Sequence, residues 1–352
     1  MERPTNNHLY LNYIVNGSTS LQLFIDIFSY RASNQSKLTY DEEEKTDSRF
    51  INNSKFTYFE KNLFGINIDE DQELDQSVCK VFVPNISQGT GFVFFFNFIM
   101  TNAHLFENYT HGDNLNSDVY GLAQFSNEPE QTYRFTVKVF DIKCDFALLE
   151  LSLDHLSKIF NLPPGLLKRI SPPPLHGSGC KVSGYPGGDK KKMESTEIIE
   201  KQKREQAVYD HLFIGKNKSS QIMRIIREEG FANILLGRNG GDKVITYKTR
   251  MGPGSSGSPV VNDQGVFGMH RGGHWYQSEA ATEFSIVLGF ACPLYVIFGR
   301  LVILLKETRS YELLNTIKEE VKGNNYLEEI LRAETNYDSD EPMEITLDQI
   351  NN

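Results

Sequence analysis

Cysteine is scarce in this chain: there are four in 352 residues, and Cys79, Cys144, Cys180 and Cys292 stand far apart. Neither the close pairs of a zinc site nor the density of a disulfide scaffold is present, so reduced thiols are expected. A GxGxxG fingerprint, a Walker loop and an HExxH helix are also missing, as is any internal repeat. No cofactor and no metal is therefore expected. The opening stretch "MERPTNNHLYLNYIVNG" lacks an apolar core long enough for a cleavable signal, which leads to the expectation of an intracellular protein. In that setting the Asn-x-Ser/Thr sequons at Asn16, Asn34, Asn52, Asn85, Asn108 and Asn217 read as chance. One apolar run, "IVLGFACPLYVIFGRLVILL" from Ile286 to Leu305, has roughly the length of a membrane span. It is interrupted by Gly289, Pro293, Gly299 and Arg300, and Pro293 divides a strand-like piece from a helix-like one, so no membrane partner is expected.

The content that is present, 39% hydrophobic and 23% charged, suits a globular chain. Its formal charge of -10 is unevenly placed. Residues 307 to 352 hold twelve acids against four bases, whereas 189 to 250 hold fourteen bases against nine acids. The basic stretch, with "KKK" at 190–192 and "KQKR" at 201–204, is a candidate surface for DNA or chromatin, and reads equally as a solvated helix face.

Residues 1–75 alternate short apolar runs with Asn/Ser-rich breaks and read as a β-containing extension or part of an upstream domain. From Ser77 short Val-, Phe- and Ile-rich runs recur about every ten residues: "SVCKVFV", "TGFVFFFNFIMTN", "YRFTVKVFDI", "DFALLEL", "CKVSGYP", "KVITYK", "SPVVND", "GVFGMH" and "EFSIVLGF". Many short strands between Gly/Pro/Asn turns predict a mainly β barrel or sandwich domain over 76–306. Two helical regions are expected to interrupt or follow it. One begins near Ser195, in "STEIIEKQKREQAVYDHLFIG", where Ser and Thr precede acids as at a helix N-terminus. The other is the amphipathic C-terminal region, broken near Gly323, within an acidic tail assigned to 307–352 that frays beyond Thr335.

"GPGSSGSPVV" (252–261) is either a flexible loop or a rigid turn that presents a nucleophile. A serine hydroxyl needs a histidine to take its proton, a carboxylate to fix that histidine, and donors for the oxyanion. His104 in "FIMTNAHLF" closes an apolar strand, Asp145 in "CDFALLEL" precedes one, and Ser256 is flanked by Gly254 and Gly257. Each alone reads as structural. Together, their order His, Asp, Ser across separated strands is the triad order of chymotrypsin-type double barrels. A glycine at 254 allows a tight turn that aims its own N–H and that of Ser256 at one point.

"GTGFVF", "TNAH", "CDFALLEL" and "GSSGSPV" resemble the trypsin-like serine proteases. More narrowly, Cys79 to about Phe298 resembles the family with sequence similarity one hundred and eleven, through "PPGL" (163–166), "PPPLHGSGCKVSGYPGG" (172–188), the basic insertion, "ITYKTRMGPGSSGSPVVNDQGVFGMH" (245–270) and the acidic C-terminus. The resemblance implies a chymotrypsin-like double six-stranded β-barrel with a helical insertion and C-terminal helices. It implies a serine endopeptidase of the nucleus or cytoplasm that acts on protein or peptide substrates, with roles at chromatin in DNA repair and replication. Carried over, His104 is the general base, Asp145 orients it, Ser256 attacks, and Gly254 with Ser256 forms the oxyanion hole. Ser255 stands where secreted relatives carry the aspartate of the zymogen switch, and Ser258 packs behind the turn. Arg250 falls at the base of the specificity pocket, with Arg271, Gly272 and Gly273 along its wall. No acid is placed there for a Lys or Arg substrate, and the family implies aromatic or large apolar preference, from which Arg250 departs: its side chain either turns to solvent or favours polar or acidic residues. "QLFIDIFSY" (22–30) approaches the sliding-clamp motif of relatives, with Ser29 in place of an aromatic, and also suits a strand. The competing reading is a catalytically silent scaffold at chromatin. A bacterial-type quality-control protease would require a peptide-binding domain after the barrel.

Overall fold

Strand positions follow from runs that are apolar on one face or on both. The computed structural model describes residues 74–83, 87–116, 119–125, 132–152, 162–174, 177–213, 244–277 and 284–336. The extension up to residue 73, the clamp-like segment 22–30, residues 214–243 of the basic insertion and the acidic end from 337 lie outside them.

The first half contains β1 (Val78–Val83), β2 (Ser87–Phe95), β3 (Phe98–Thr101), the small ribbon β4 (Thr110–His111) with β5 (Asn114–Leu115), then β6 (Tyr120–Gln124), β7 (Thr132–Asp141) and β8 (Phe146–Leu151). Six of these close antiparallel in the order β1-β2-β3-β8-β7-β6. The second half contains β9 (Gly179–Gly184), β10 (Lys192–Ile199), β11 (Ile245–Tyr247), β12 (Pro259–Asn262), β13 (Gly265–Gln277) and β14 (Phe284–Pro293), which close in the order β10-β11-β14-β13-β12-β9. The fold is thus mainly β, a chymotrypsin-like pair of closed six-stranded barrels.

The unbroken apolarity of "FIMT" and "FALLEL" has a packing reason, because strands covered on both sides need no polar alternation. Val93, Ile99, Ala147 and Leu149 fill the first barrel with Val81 and Phe135. Their neighbours Phe92, Phe94, Met100, Phe146 and Leu148 face the other way. They join Tyr185 and Met269 of the second barrel and Ile297, Phe298 and Leu301 of a C-terminal helix in one shared cluster. The second barrel has its own smaller core around Val182, Tyr247, Val260 and Phe267.

One local reading is corrected, and one strand has no counterpart in the sequence runs. The segment near Ser195 is not the start of a helix: 192–199 is β10, paired with β9 and β11, and helix α1 (Arg204–Phe213) begins only afterwards. Barrel closure requires a strand there, and that pairing overrides the cap-like Ser/Thr–acid pattern. β6, "YGLAQ", lacks the bulky signature of a strand because Phe135 fills its inner face. A Cβ on Gly121 would lie 2.4 Å from that ring.

The long apolar run divides at Pro293 into β14 and helix α2 (Leu294–Glu307), with Pro293 in extended backbone as the helix N-cap. Among the described residues no helix is long and apolar enough to cross a membrane. α2 buries Leu294, Ile297, Phe298, Leu301, Val302 and Leu305 along one face, and α3 (Tyr311–Glu320) and α4 (Asn325–Asn336) follow it. The break at Gly323 takes φ +89°, and Asn324 accepts the N–H of Leu327 while its amide donates to the carbonyls of Lys168 and Ile170.

Arg300 on α2 donates from Nε to Asp141 Oδ2 at 2.8 Å, and Asp141 Oδ1 accepts the N–H of Cys144. The helix therefore braces the turn between β7 and β8. Asp141 is 6% exposed, so removing the guanidinium leaves a buried carboxylate short of a partner. Arg300→Met is expected to lower stability by about 1–3 kcal/mol in denaturant unfolding, and an unchanged midpoint would show that the turn does not depend on the helix.

Candidate active site

His104 lies where β3 gives way to a 3-10 turn, Ala103–Tyr109. Asp145 ends the β7–β8 turn with φ +55°, a conformation unusual for an L-residue, and is 1% exposed. Two groups hold it there: Asn102 Nδ2 donates to its carbonyl at 3.0 Å, and the main-chain N–H of His104 donates to Oδ1 at 2.9 Å. His104 Nδ1 is 3.0 Å from both carboxylate oxygens, and Nε2 is 2.9 Å from Ser256 Oγ. A carboxylate can only accept, so the ring proton sits on Nδ1 and Nε2 is left as an acceptor for the serine hydroxyl.

The serine turn is rigid. Ser255 N–H donates to Gly252 O, Ser258 N–H to Ser255 O, and Gly187 N–H to Pro253 O. Gly254 takes φ +93°, and a Cβ there would lie 2.5 Å from Tyr185 O. The N–H groups of Gly254 and Ser256 have no hydrogen-bond partner among the described residues. Two free donors beside a nucleophile can receive the oxygen of a tetrahedral adduct. The hydroxyls of Ser255 and Ser258 are buried without a hydrogen-bond partner among the described residues. No cluster of His, Cys, Asp or Glu that could hold a metal ion occurs among the described residues.

With this geometry in place the sequence profile of the trypsin-like peptidase domain matches residues 89–268, just over half of the 352 residues. The chain belongs to the trypsin-like peptidase family. It is 26% identical over 157 residues to serine protease FAM111A of Mus musculus, covering 43% of this chain and 24% of that protein. To serine protease FAM111B of Homo sapiens it is 27% identical over 160 residues, covering 44% and 21%. The matches thus span less than a quarter of either relative. Similar solved structures include the active form of the Rv3671c protease from M. tuberculosis, at 19% identity, 72% and 89% coverage of the two chains and a TM-score of 0.39. The HtrA-type protease AlgW with a tripeptide is another, at 16% identity, 63% and 57% coverage and a TM-score of 0.40.

Within this trypsin-like peptidase domain, the side chains of two residues expected at the specificity pocket have defined surroundings. Arg250 is exposed, its main-chain N–H held by the Glu194 carboxylate, because burying its guanidinium would need a counter-charge that Glu194 does not extend to the side chain. Arg271 turns its side chain to Asp145: Nε donates to Oδ2 at 2.9 Å, while its carbonyl stays 3.5 Å from Ser256 Oγ. Asp145 thus accepts from His104 and from Arg271. Gly272, with φ +144°, has open space where a Cβ would stand, and Gly273 follows half-buried on the same strand.

Thr90 carries no signal in the sequence. From β2 in the first barrel its N–H donates to Ser256 O at 2.8 Å and its hydroxyl to Gly254 O at 2.8 Å, while that hydroxyl accepts Tyr185 N–H at 3.0 Å. A buried Thr one residue after a strand glycine is an ordinary sequence feature, so only its partners reveal it. Thr90→Val keeps the shape but strands Gly254 O and Tyr185 N–H. It is expected to cost about 1–3 kcal/mol of stability and to slow modification of Ser256 by a serine-directed fluorophosphonate by roughly tenfold to a hundredfold. A wild-type labelling rate would remove Thr90 from any part in setting the turn.

Proposed function

We propose that the chain is a serine endopeptidase working through Ser256, His104 and Asp145. The observation that supports this most is the unbroken relay from Ser256 Oγ to His104 Nε2 and from His104 Nδ1 to a buried carboxylate, beside two N–H donors without a partner among the described residues. As Ser256 Oγ attacks the peptide carbonyl carbon, its proton passes to His104 Nε2, and the carbonyl oxygen, now negative, is received by the N–H groups of Gly254 and Ser256. The imidazolium is stabilised by Asp145 and returns the proton to the leaving amine as the C–N bond breaks. Water then attacks the acyl-serine ester, His104 again takes the proton, and return of that proton to Ser256 Oγ releases the carboxylic acid. A scaffold without chemistry has no use for an imidazole held between a buried carboxylate and a serine.

We further propose intracellular proteins on chromatin as substrates, with support from the excess of bases over 189–250. Lys190 and Lys192 are exposed, whereas Lys191 is turned back to Asp75 and lies over the Tyr185 ring. Replacing Lys190 and Lys192 together by Glu is expected to weaken retention on duplex DNA several-fold and flatten its salt dependence, with peptide cleavage unchanged. Retention equal to wild type would count against this substrate class.

For the chemistry itself, a fluorophosphonate probe is expected to label the wild type and not Ser256→Ala. His104→Ala and Ser256→Ala are each expected to lower casein or peptide turnover by at least about a thousandfold. Folded wild-type protein that neither labels nor cleaves would sink the proposal.

A further inference from the structure

The outer faces of the first barrel have unequal neighbours. Those of β2, β3 and β8 lie under the apolar layer shared with the second barrel and α2. On the other three strands the outward side chains are Lys80 and Phe82 of β1, Tyr120 and Leu122 of β6, and Arg134 and Thr136 of β7. Alternation dictates this, because Val81, Ala123 and Phe135 between them fill the barrel. Tyr120 and Leu122 are 59% and 40% exposed, and Phe82 stands directly across from Leu122 on the neighbouring strand. One exposed apolar side chain is ordinary, whereas three adjoining ones on a single sheet face mark a surface that another molecule covers.

The charge on this face has one sign. Arg134 stands across from Leu122 on its other side, and Lys80 stands across from Gln124, one step along the sheet. Neither cation has a carboxylate partner among the described residues. Lys80 Nζ lies instead 5.4 Å from the centre of the Phe82 ring and 5.3 Å from that of Tyr185. β1, β6 and β7 hold one acid, Asp141, and it is buried against Arg300. Further along β7, Lys138 is paired with Glu150. A cationic sheet face on a chain of formal charge -10 attracts an acidic partner. Its centre of Phe, Tyr and Leu beside an arginine suits a protein better than a nucleic acid, since Leu122 gives a base no ring to stack on.

Spacing narrows the chemistry further. Lys80 and Arg134 are two strands and two residues apart, about 12 Å between Cα atoms by ordinary sheet dimensions. An extended peptide turns residues i, i+2 and i+4 to one side and spans about 13 Å from first to last. We propose that the outer face of β1, β6 and β7 docks an extended acidic segment of a partner protein with the pattern acid-x-apolar-x-acid. The apolar side chain enters between Phe82, Tyr120 and Leu122, and the two carboxylates meet Lys80 and Arg134. This face adjoins the serine turn through Tyr185, whose ring lies beneath Lys80 and whose carbonyl sits against Gly254. A docked partner is thus held beside the turn whether the chain cleaves it or only retains it.

The test uses the full chain carrying Ser256→Ala, so that no peptide is cut, and fluorescence anisotropy with a labelled peptide Gly-Ser-Glu-Ser-Leu-Ser-Glu-Ser-Gly. Saturable binding is expected at protein concentrations up to roughly 200 µM. Leu122→Glu and Arg134→Glu are each expected to weaken it about tenfold or more, and exchange of the peptide's Leu for Ser about fivefold or more. Arg134→Lys is expected to retain most of the affinity, and a peptide with Lys for both Glu residues is expected not to bind. Both substituted positions are on the surface, so the thermal midpoint of the parent is expected to be kept; should Leu122→Glu not fold, Arg134→Glu carries the test. Absence of saturable binding, equal affinity of the variants, or oligothymidine bound more tightly than the peptide and weakened by the same substitutions overturns the proposal. None of these outcomes bears on the endopeptidase reading, which fluorophosphonate labelling of Ser256 decides separately.

Discussion

The N–H and the hydroxyl of Thr90 are committed across the boundary between the barrels, and the rest of the site depends on that commitment. His104 and Asp145 come from the first barrel and Ser256 from the second, so nothing within either barrel sets the distance between them. Thr90 N–H and Oγ1 fasten the carbonyls on either side of Ser255, and Thr90 O accepts the hydroxyl of Thr101, three residues before His104. One strand position thus ties the nucleophile turn to the strand that delivers the histidine. The carbonyls of Gly254 and Ser256 are drawn toward Thr90, and their peptide N–H groups remain available to a substrate.

Around that tie the packing is continuous. The outer faces of β2, β3 and β8 do not meet solvent but a shared apolar layer with the second barrel and α2. A layer of this kind resists sliding, because a shift of one residue would send every inward side chain to the wrong face. The helices after the barrels therefore belong to the same folded unit, reaching the β7–β8 turn through Arg300 and Asp141.

Much of this was legible in the sequence. Val-, Phe- and Ile-rich runs at short intervals marked nine stretches that fall on strands, and Pro293 marked where strand becomes helix. His104, Asp145 and Ser256 could be singled out because each sits at the edge of such a run, next to residues that make turns. β6 and β10 were not legible, since one carries Gly121 where Phe135 fills the space and the other looks locally like a helix start. The partners of Asp145 were equally hidden. They join residues distant in sequence, and a buried donor-acceptor match leaves no periodic trace.

Arg271 gives the site a property of its own. The strand that would lie along a bound peptide also holds the carboxylate behind the base, through one guanidinium from a residue whose carbonyl faces the serine. In the proposed peptidase, selectivity and turnover are then not independent dials. A change that reshapes this wall to admit a different side chain shifts the electrostatic anchor of the histidine as well, so a lineage drifting toward new substrates would have to rebuild its acid at the same time.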